Sequence, residues 1–189
     1  MAISSYILSS FFILPFVLAM GSSPSLSCPC TRESEIRMVL YMRQVNEGQP
    51  NANGVRRPTS LRLPFGFGDV FVNDWVILDA PEPNANVVAD ARGINVNADQ
   101  AAGAGYHSSL SVVFKAGRFK GSTLELLGIH AAEAAWAVVG GTGQFSFARG
   151  TINYRIVKNV PGAEEYKELS IHALYIPPAG NATTGTADQ

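Results

Sequence analysis

Charge is scarce in this sequence. Only 15% of its 189 residues are Asp, Glu, Lys or Arg, against about a quarter in an average soluble domain. The two signs nearly cancel, leaving a formal charge of -1, so there is no global basic field and nucleic acid is excluded as a partner class. Cysteine is nearly missing: Cys28 and Cys30 are the two in the chain. One residue apart, they would close a strained disulfide ring, and two ligands fall short of the four that structural zinc takes. Free, intermolecular and processed-away thiols all stay open. HExxH and Ser-His-Asp spacings are absent, so no hydrolase motif is present.

Long apolar runs are also rare. The one that stands out, Tyr6 to Met20, is uncharged and is followed by small residues around Ala19, Gly21 and Ser22. No Lys or Arg precedes it, and Pro15 with the serines at positions 4, 5, 9 and 10 makes it a poor bilayer span. The stretch predicts a secretory signal over residues 1–23, with cleavage between Gly21 and Cys28, and a mature protein without a membrane segment. An N-terminal segment over 24–36, one domain over 37–176 and a linker-like tail over 177–189 follow. Asn181-Ala182-Thr183 in that tail is an N-glycosylation sequon.

What the sequence does have is two-residue alternation. Apolar residues make up 47% of the chain, and they recur at period 2 almost throughout, the mark of half-buried strands. Arg37–Gln44 reads as a strand and Asn46–Pro64 as a long Asn/Gly/Pro loop. Phe65, Phe67, Phe71, Trp75 and Ile77 share one parity over Phe65–Leu78, broken by Asp69 and Asn73. Asp79–Asn86 is a proline-bearing turn. Strands are then expected over Val87–Asn97, Tyr106–Phe114 and Ser122–Leu127, with a hairpin at Phe114–Gly121. Tyr166–Ile176 closes the chain, with Leu169, Ile171, Ala173 and Tyr175 on one parity. Ile129–Trp136 is the one stretch with helix propensity, barely two turns. About eight strands at hairpin spacing predict an all-β antiparallel barrel or sandwich.

The glycine cluster Gly140-Gly141-Thr142-Gly143 invites a phosphate-loop reading, which the sequence excludes. A Walker loop needs a following Lys and a helix, and a dinucleotide fingerprint needs a helix N-terminus. A strand pattern follows instead, with a parity switch at Arg149-Gly150 that predicts a β-bulge. The cluster is a turn.

FKGSTLELLG followed by VVGGTGQFSFARG resembles the closing half of a plant dirigent domain. VLYM (Val39–Met42), FGDVFVND (Phe67–Asp74) and PEPNANVVADARG resemble its earlier strands and acidic turn. The wording VNDW and the Asn/Gly loop are similar to the grass subgroup in which this domain is fused to a jacalin-like lectin, though no lectin follows here. The resemblance implies an eight-stranded antiparallel β-barrel of the dirigent and allene oxide cyclase kind, a homotrimer, and secretion to the apoplast. It also implies a role without cofactors: the protein orients phenoxy radicals made from monolignols by a separate laccase or peroxidase, and one lignan stereoisomer results. A barrel mouth lined by aromatic groups suits two flat phenolics, with a few polar groups fixing their faces.

Candidate site residues come from the family pocket and from the residues themselves. Gln44, in Tyr41-Met42-Arg43-Gln44, stands where the family carries an Asp on its first strand. His130 stands at a family Asp or Asn position after the GSTL strand and is the candidate proton donor. Asn95 replaces a pocket Tyr, and Glu133 is the one charge where the family has an Arg. Tyr41 and Arg43 are candidate ligand contacts, Arg43 toward an anionic or hydroxylated group. Asp74 is a family aspartate counted among the candidate ligand contacts, with a turn-fixing hydrogen-bond role beside it. Phe145 and Phe147 read first as core, with Phe147 kept as a candidate ligand platform. Asp90 and Arg92 should pair with each other. His107 and His172 form no metal site. With the pocket carboxylates replaced, a second reading stands beside the first: a defence protein whose barrel binds carbohydrate or a partner protein.

Overall fold

The computed structural model describes residues 32–59, 63–100, 105–130 and 133–178. The signal segment, both cysteines and Asn181 lie outside the described residues. Among the described residues nine strands form one antiparallel sheet: β1 (Ser34–Val45), β2 (Gly54–Arg57), β3 (Val70–Leu78), β4 (Val87–Asn97), β5 (Tyr106–Phe114), β6 (Thr123–His130), β7 (Glu133–Thr142), β8 (Arg149–Val160) and β9 (Glu164–Tyr175). Each strand from β3 to β9 pairs with the next, and β9 pairs with β1. β1 then meets β3 through Tyr41–Leu78, Met42–Ile77 and Arg43–Val76. That contact closes eight strands into a barrel, the expected architecture. β2 is an addition: it lies on the part of β3 that β1 leaves free, with Gly54 opposite Asn73 and Arg57 opposite Val70.

The alternation seen in the sequence is what lets the sheet close. Inward positions such as Met42, Ile77, Val112, Leu124, Ile152 and Leu169 are almost wholly buried, each adding about 1.5–3 kcal/mol. One end of the barrel is plugged by aromatic rings. Phe145 packs at 4.5 Å from Phe119, 5.2 Å from Phe114 and 5.2 Å from Tyr175. Gly93 within β4 and Gly150 near the start of β8 lie tight against the backbone of the neighbouring strand. A Cβ there would fall 2.1 Å from the backbone oxygens of Ser109 and His172 respectively, so no other residue fits.

Several expectations need correction. Ile129–Trp136 is not helical: β6 runs to His130 and β7 begins at Glu133. Ala134, Trp136 and Val138 point inward in alternation, and burying Trp136 outweighs the local alanine preference for helix. Arg149-Gly150 carries no bulge, because the ladder through Arg149, Gly150 and Thr151 is continuous with β9. The change of parity comes from a 3-10 turn over Gly143–Phe145 followed by Phe147 at φ 57. The bulges lie elsewhere. Glu125 opposes Gly140 and Leu126 opposes Val138, which leaves Val139 extra; Val88 and Val157 are extra in the same sense. The strand expected from Phe65 starts at Val70, since Pro64–Gly66 is a 3-10 turn with Phe65 at φ 58. The long loop contains β2, and the sheet starts at Ser34 rather than at 37. The hairpin over Phe114–Gly121 and the turn over Asp79–Asn86 form as expected. In the turn, the Asn86 side-chain amide donates to the Asp79 carboxylate at 2.7 Å.

Candidate functional site

Opposite the aromatic plug, inward side chains become polar. On β9 the inward parity of Leu169, Ile171 and Ala173 continues backwards to Lys167 and Glu165. Lys167 is a charged group taken into the barrel, with 1% of its side chain exposed. It survives there because its ammonium is fully engaged. It contacts the Glu165 carboxylate, donates to Gln44 Oε1 at 3.1 Å, and lies 3.4 Å from His130 Nε2. It also sits 5.5 Å from the Trp75 ring, a favourable place for a cation. Burial still pushes the Lys167 amine below its ordinary range, with Glu165 opposing that shift.

His130 is boxed by rings. Trp75, Trp136 and Tyr154 stand 5.8, 5.9 and 5.8 Å from it, and Trp136 and Tyr154 lie 4.2 Å apart. Desolvation, then the charge of Lys167, lowers its pKa to about 3. The ring is therefore neutral at physiological pH. This corrects the expectation of a proton donor working near neutral pH: His130 is a strand residue among aromatics, and at neutral pH it offers a neutral N–H.

Three sequence candidates face this interior: His130 and Gln44, which meet at Lys167, and Asn95. Asn95 is buried on β4 and opposes Phe71 and Ser108. Four others do not. Tyr41 and Arg43 alternate with inward Met42 and Gln44 and face the outside of the sheet. Arg43 donates to Glu164 Oε2 at 2.7 Å and lies 5.9 Å from the Tyr166 ring. Asp74 accepts from Arg92 at 2.8 Å on the outer face, where Arg92 also holds Asp90 at 2.7 Å, the pairing expected. Phe147 sits beside the glycine turn next to the plugged end and is 77% exposed, so it cannot line this interior. Phe145 is core. Glu133 is exposed at the start of β7. His172 meets Glu35 on the outside, and among the described residues no group of three or more His, Cys, Asp or Glu could hold a metal ion.

The residues missed from sequence are Lys167, Glu165, Asn73, Ser108, Trp75 and Trp136. Their signal was parity: polar residues that extend an apolar inward stripe are either errors of register or parts of a site. Gln44 and Glu165 are direct partners in the β1–β9 ladder. The carboxyl absent from β1 is thus present one strand over, at the same level of the barrel.

The architecture is thus a closed antiparallel barrel with one end plugged by rings and the other combining rings with a few inward polar groups. The comparisons with known proteins agree. The family described as Dirigent-like protein matches residues 35–174, and the chain belongs to that family. Dirigent protein 11 of Arabidopsis thaliana is 33% identical over 131 residues, which is 61% of this chain and 67% of that protein. A pterocarpan synthase of Glycine max is 35% identical over 88 residues, 44% of this chain and 47% of that one. The solved pterocarpan synthase dirigent protein PsPTS1 superimposes with a TM-score of 0.65 at 26% identity, covering 75% of this chain and 96% of that chain. A second one, GePTS1, gives 0.68 at 24% identity over 83% and 90%.

Proposed function

We propose that this dirigent protein binds flat phenolic radicals of the monolignol type in the polar end of its barrel and fixes the faces through which they couple. Oxidation comes from a separate laccase or peroxidase. The observation that carries the reading is the box of Trp75, Trp136 and Tyr154 around His130, which itself lies 3.4 Å from Lys167 of the Lys167–Glu165–Gln44 cluster. Rings give a flat ligand two defined faces, and fixed polar groups set its direction along the barrel. Steering of this kind needs position alone, because holding two reactants in one geometry replaces a random encounter. Secretion after loss of residues 1–23, a glycan on Asn181 and assembly as a homotrimer belong to the same proposal.

A second reading is favoured by Glu165. A cyclisation through a quinone methide requires a carboxylic acid in the pocket; the ladder partner of Gln44 is a carboxyl at that level, and its pairing with Lys167 places this reading second. Some of the relatives are named as pterocarpan synthases, a role in small-molecule synthesis other than lignan coupling.

The test is oxidation of coniferyl alcohol by a one-electron oxidant in the presence of the mature protein, with chiral chromatography of the dimers. Enantiomeric excess that vanishes in Lys167→Met and persists in Arg43→Ala supports the reading. Racemic product at saturating protein refutes it for this substrate and moves the weight to cyclisation, or to carbohydrate or partner binding.

A further inference from the structure

Six inward-facing side chains at the polar end each leave a buried atom without a hydrogen-bond partner: Asn73 Nδ2, Trp75 Nε1, Asn95 Oδ1, Ser108 Oγ, His130 Nδ1 and Trp136 Nε1. Native interiors leave few such groups, because each forfeits its hydration and gains nothing in return. Here they lie on β3, β4, β5, β6 and β7, five consecutive strands of the barrel wall, at one end of one barrel. Asn95 and Ser108 are ladder partners, and Trp75 and Trp136 flank the same histidine.

Their hydrogen-bonding sense is lopsided. Indole nitrogens only donate, and so does the Asn73 amide nitrogen. The Lys167 ammonium can also only donate, so His130 Nε2 accepts from it and the ring proton belongs on Nδ1. His130 Nδ1 is therefore a fourth N–H donor, strengthened by the cation hydrogen-bonded to the other side of the ring. Against four donors stands one obligate acceptor, Asn95 Oδ1, with the Ser108 hydroxyl able to act either way. Turning the Asn95 amide over would add a donor and turning the Asn73 amide over would remove one, so the fixed part of the imbalance is the three ring N–H groups of Trp75, Trp136 and His130.

We infer that the interior selects flat phenolics bearing a carbonyl oxygen (an aldehyde, ketone or ester) over the corresponding alcohols, with His130 and Asn73 as specificity-determining residues. A carbonyl oxygen receives two N–H groups and brings no proton of its own. An alcohol brings a proton that must find an acceptor, and the acceptors here are Asn95 Oδ1, the Ser108 hydroxyl and a Glu165 carboxylate already held by Lys167. This rests on the phenolic reading above and narrows its ligand.

The experiment is isothermal titration calorimetry of the mature protein with coniferyl alcohol, coniferaldehyde and methyl ferulate. The first two differ only in CH2OH against CHO, and the ester carbonyl forms no imine with a lysine. The expected result is about tenfold tighter binding of both carbonyl ligands than of the alcohol, with the ratio falling toward one in His130→Phe and in Asn73→Leu. His130→Phe keeps the ring stack, and near-UV circular dichroism checks that each variant is folded. Equal or tighter binding of the alcohol by the wild type overturns the carbonyl preference and leaves the phenolic site standing. A preference unchanged in both folded variants overturns the assignment to His130 and Asn73. No saturable heat with any of the three ligands sinks the phenolic reading itself.

Discussion

Glu165→Gln tests the polar end most directly, because it takes away the countercharge of an ion that water cannot reach. Lys167 has 1% of its side chain exposed and Glu165 19%, so the loss falls on the lysine. Removing one partner of a buried pair costs about 3–5 kcal/mol. The cost has a ceiling, since the amine can shed its proton instead. Neutralising a lysine of ordinary pKa 10.5 costs about 1.4 kcal/mol per pH unit below that value, so about 5 kcal/mol at pH 7 and about 2 at pH 9. The sign follows from linkage: the folded amine binds its proton less tightly than the unfolded one, so between the folded value and 10.5 the unfolded chain holds more protons and stability rises with pH. Urea unfolding at pH 7 and pH 9 reads this out. The variant should lose several kcal/mol at pH 7, the gap to wild type should narrow by pH 9, and adding Lys167→Met should recover most of the loss. A gap under about 1 kcal/mol at pH 7, or one indifferent to pH, would refute the picture of a desolvated, paired Lys167.

Three further outcomes follow from the same geometry. His130 binds its proton only at about pH 3 when folded and at about 6.5 when unfolded, so stability should fall as pH drops from 6.5 toward 3. Urea midpoints at pH 6.5 and 4.5 should show that slope in wild type and lose it in His130→Phe; an unaltered slope in the variant assigns it to other groups. Gly150→Ala drives a Cβ to 2.1 Å from the His172 backbone oxygen and should cost about 3 kcal/mol or more. Gly117→Ala, with φ 68 and open space around it, should cost only about 1; similar thermal midpoints for the two would contradict the crowding. Phe147→Gly puts a glycine at an exposed position with φ 57, so the thermal midpoint should hold or rise and ligand titrations should not change. A loss of ligand binding would restore Phe147 to the site.

The fold was legible because it is written in parity. Period-2 alternation and glycine-marked hairpins gave strands in nearly the right places, and a barrel needs little more. The errors came where tertiary context overruled a local signal. Ala134 and Ala135 favour helix alone, yet the inward stripe of Ala134, Trp136 and Val138 holds them in a strand. The site was half legible. His130, Gln44 and Asn95 were reached through the family pattern, and all three point inward. Arg43, Tyr41 and Asp74 failed on orientation: a neighbour in sequence along a strand is on the opposite face in space. Lys167 was missed although it extends the stripe Leu169, Ile171, Ala173 by one step. A lysine there contradicts the apolar pattern, and no sequence rule says that a ladder partner at Gln44 and a ring at Trp75 will receive it.

The place of the carboxyl decides which chemistry the barrel end suits. An acid catalyst for cyclisation must face the ligand with a proton free to leave. Glu165 instead faces Lys167, and the lysine in turn engages Gln44 and His130. The carboxyl on β9 has its own cation two residues along the same strand, so the pair spends its hydrogen bonds on itself, on Gln44 and on the histidine. What is left to meet a ligand is the far side of that chain, the His130 Nδ1–H, together with the indole and amide donors beside it. These groups hold an oxygen in place without having to give up a proton. A site built this way orients better than it acidifies, which favours stereochemical steering over acid-driven ring closure and makes the enantiomeric excess of coupled dimers the more telling of the two activity assays.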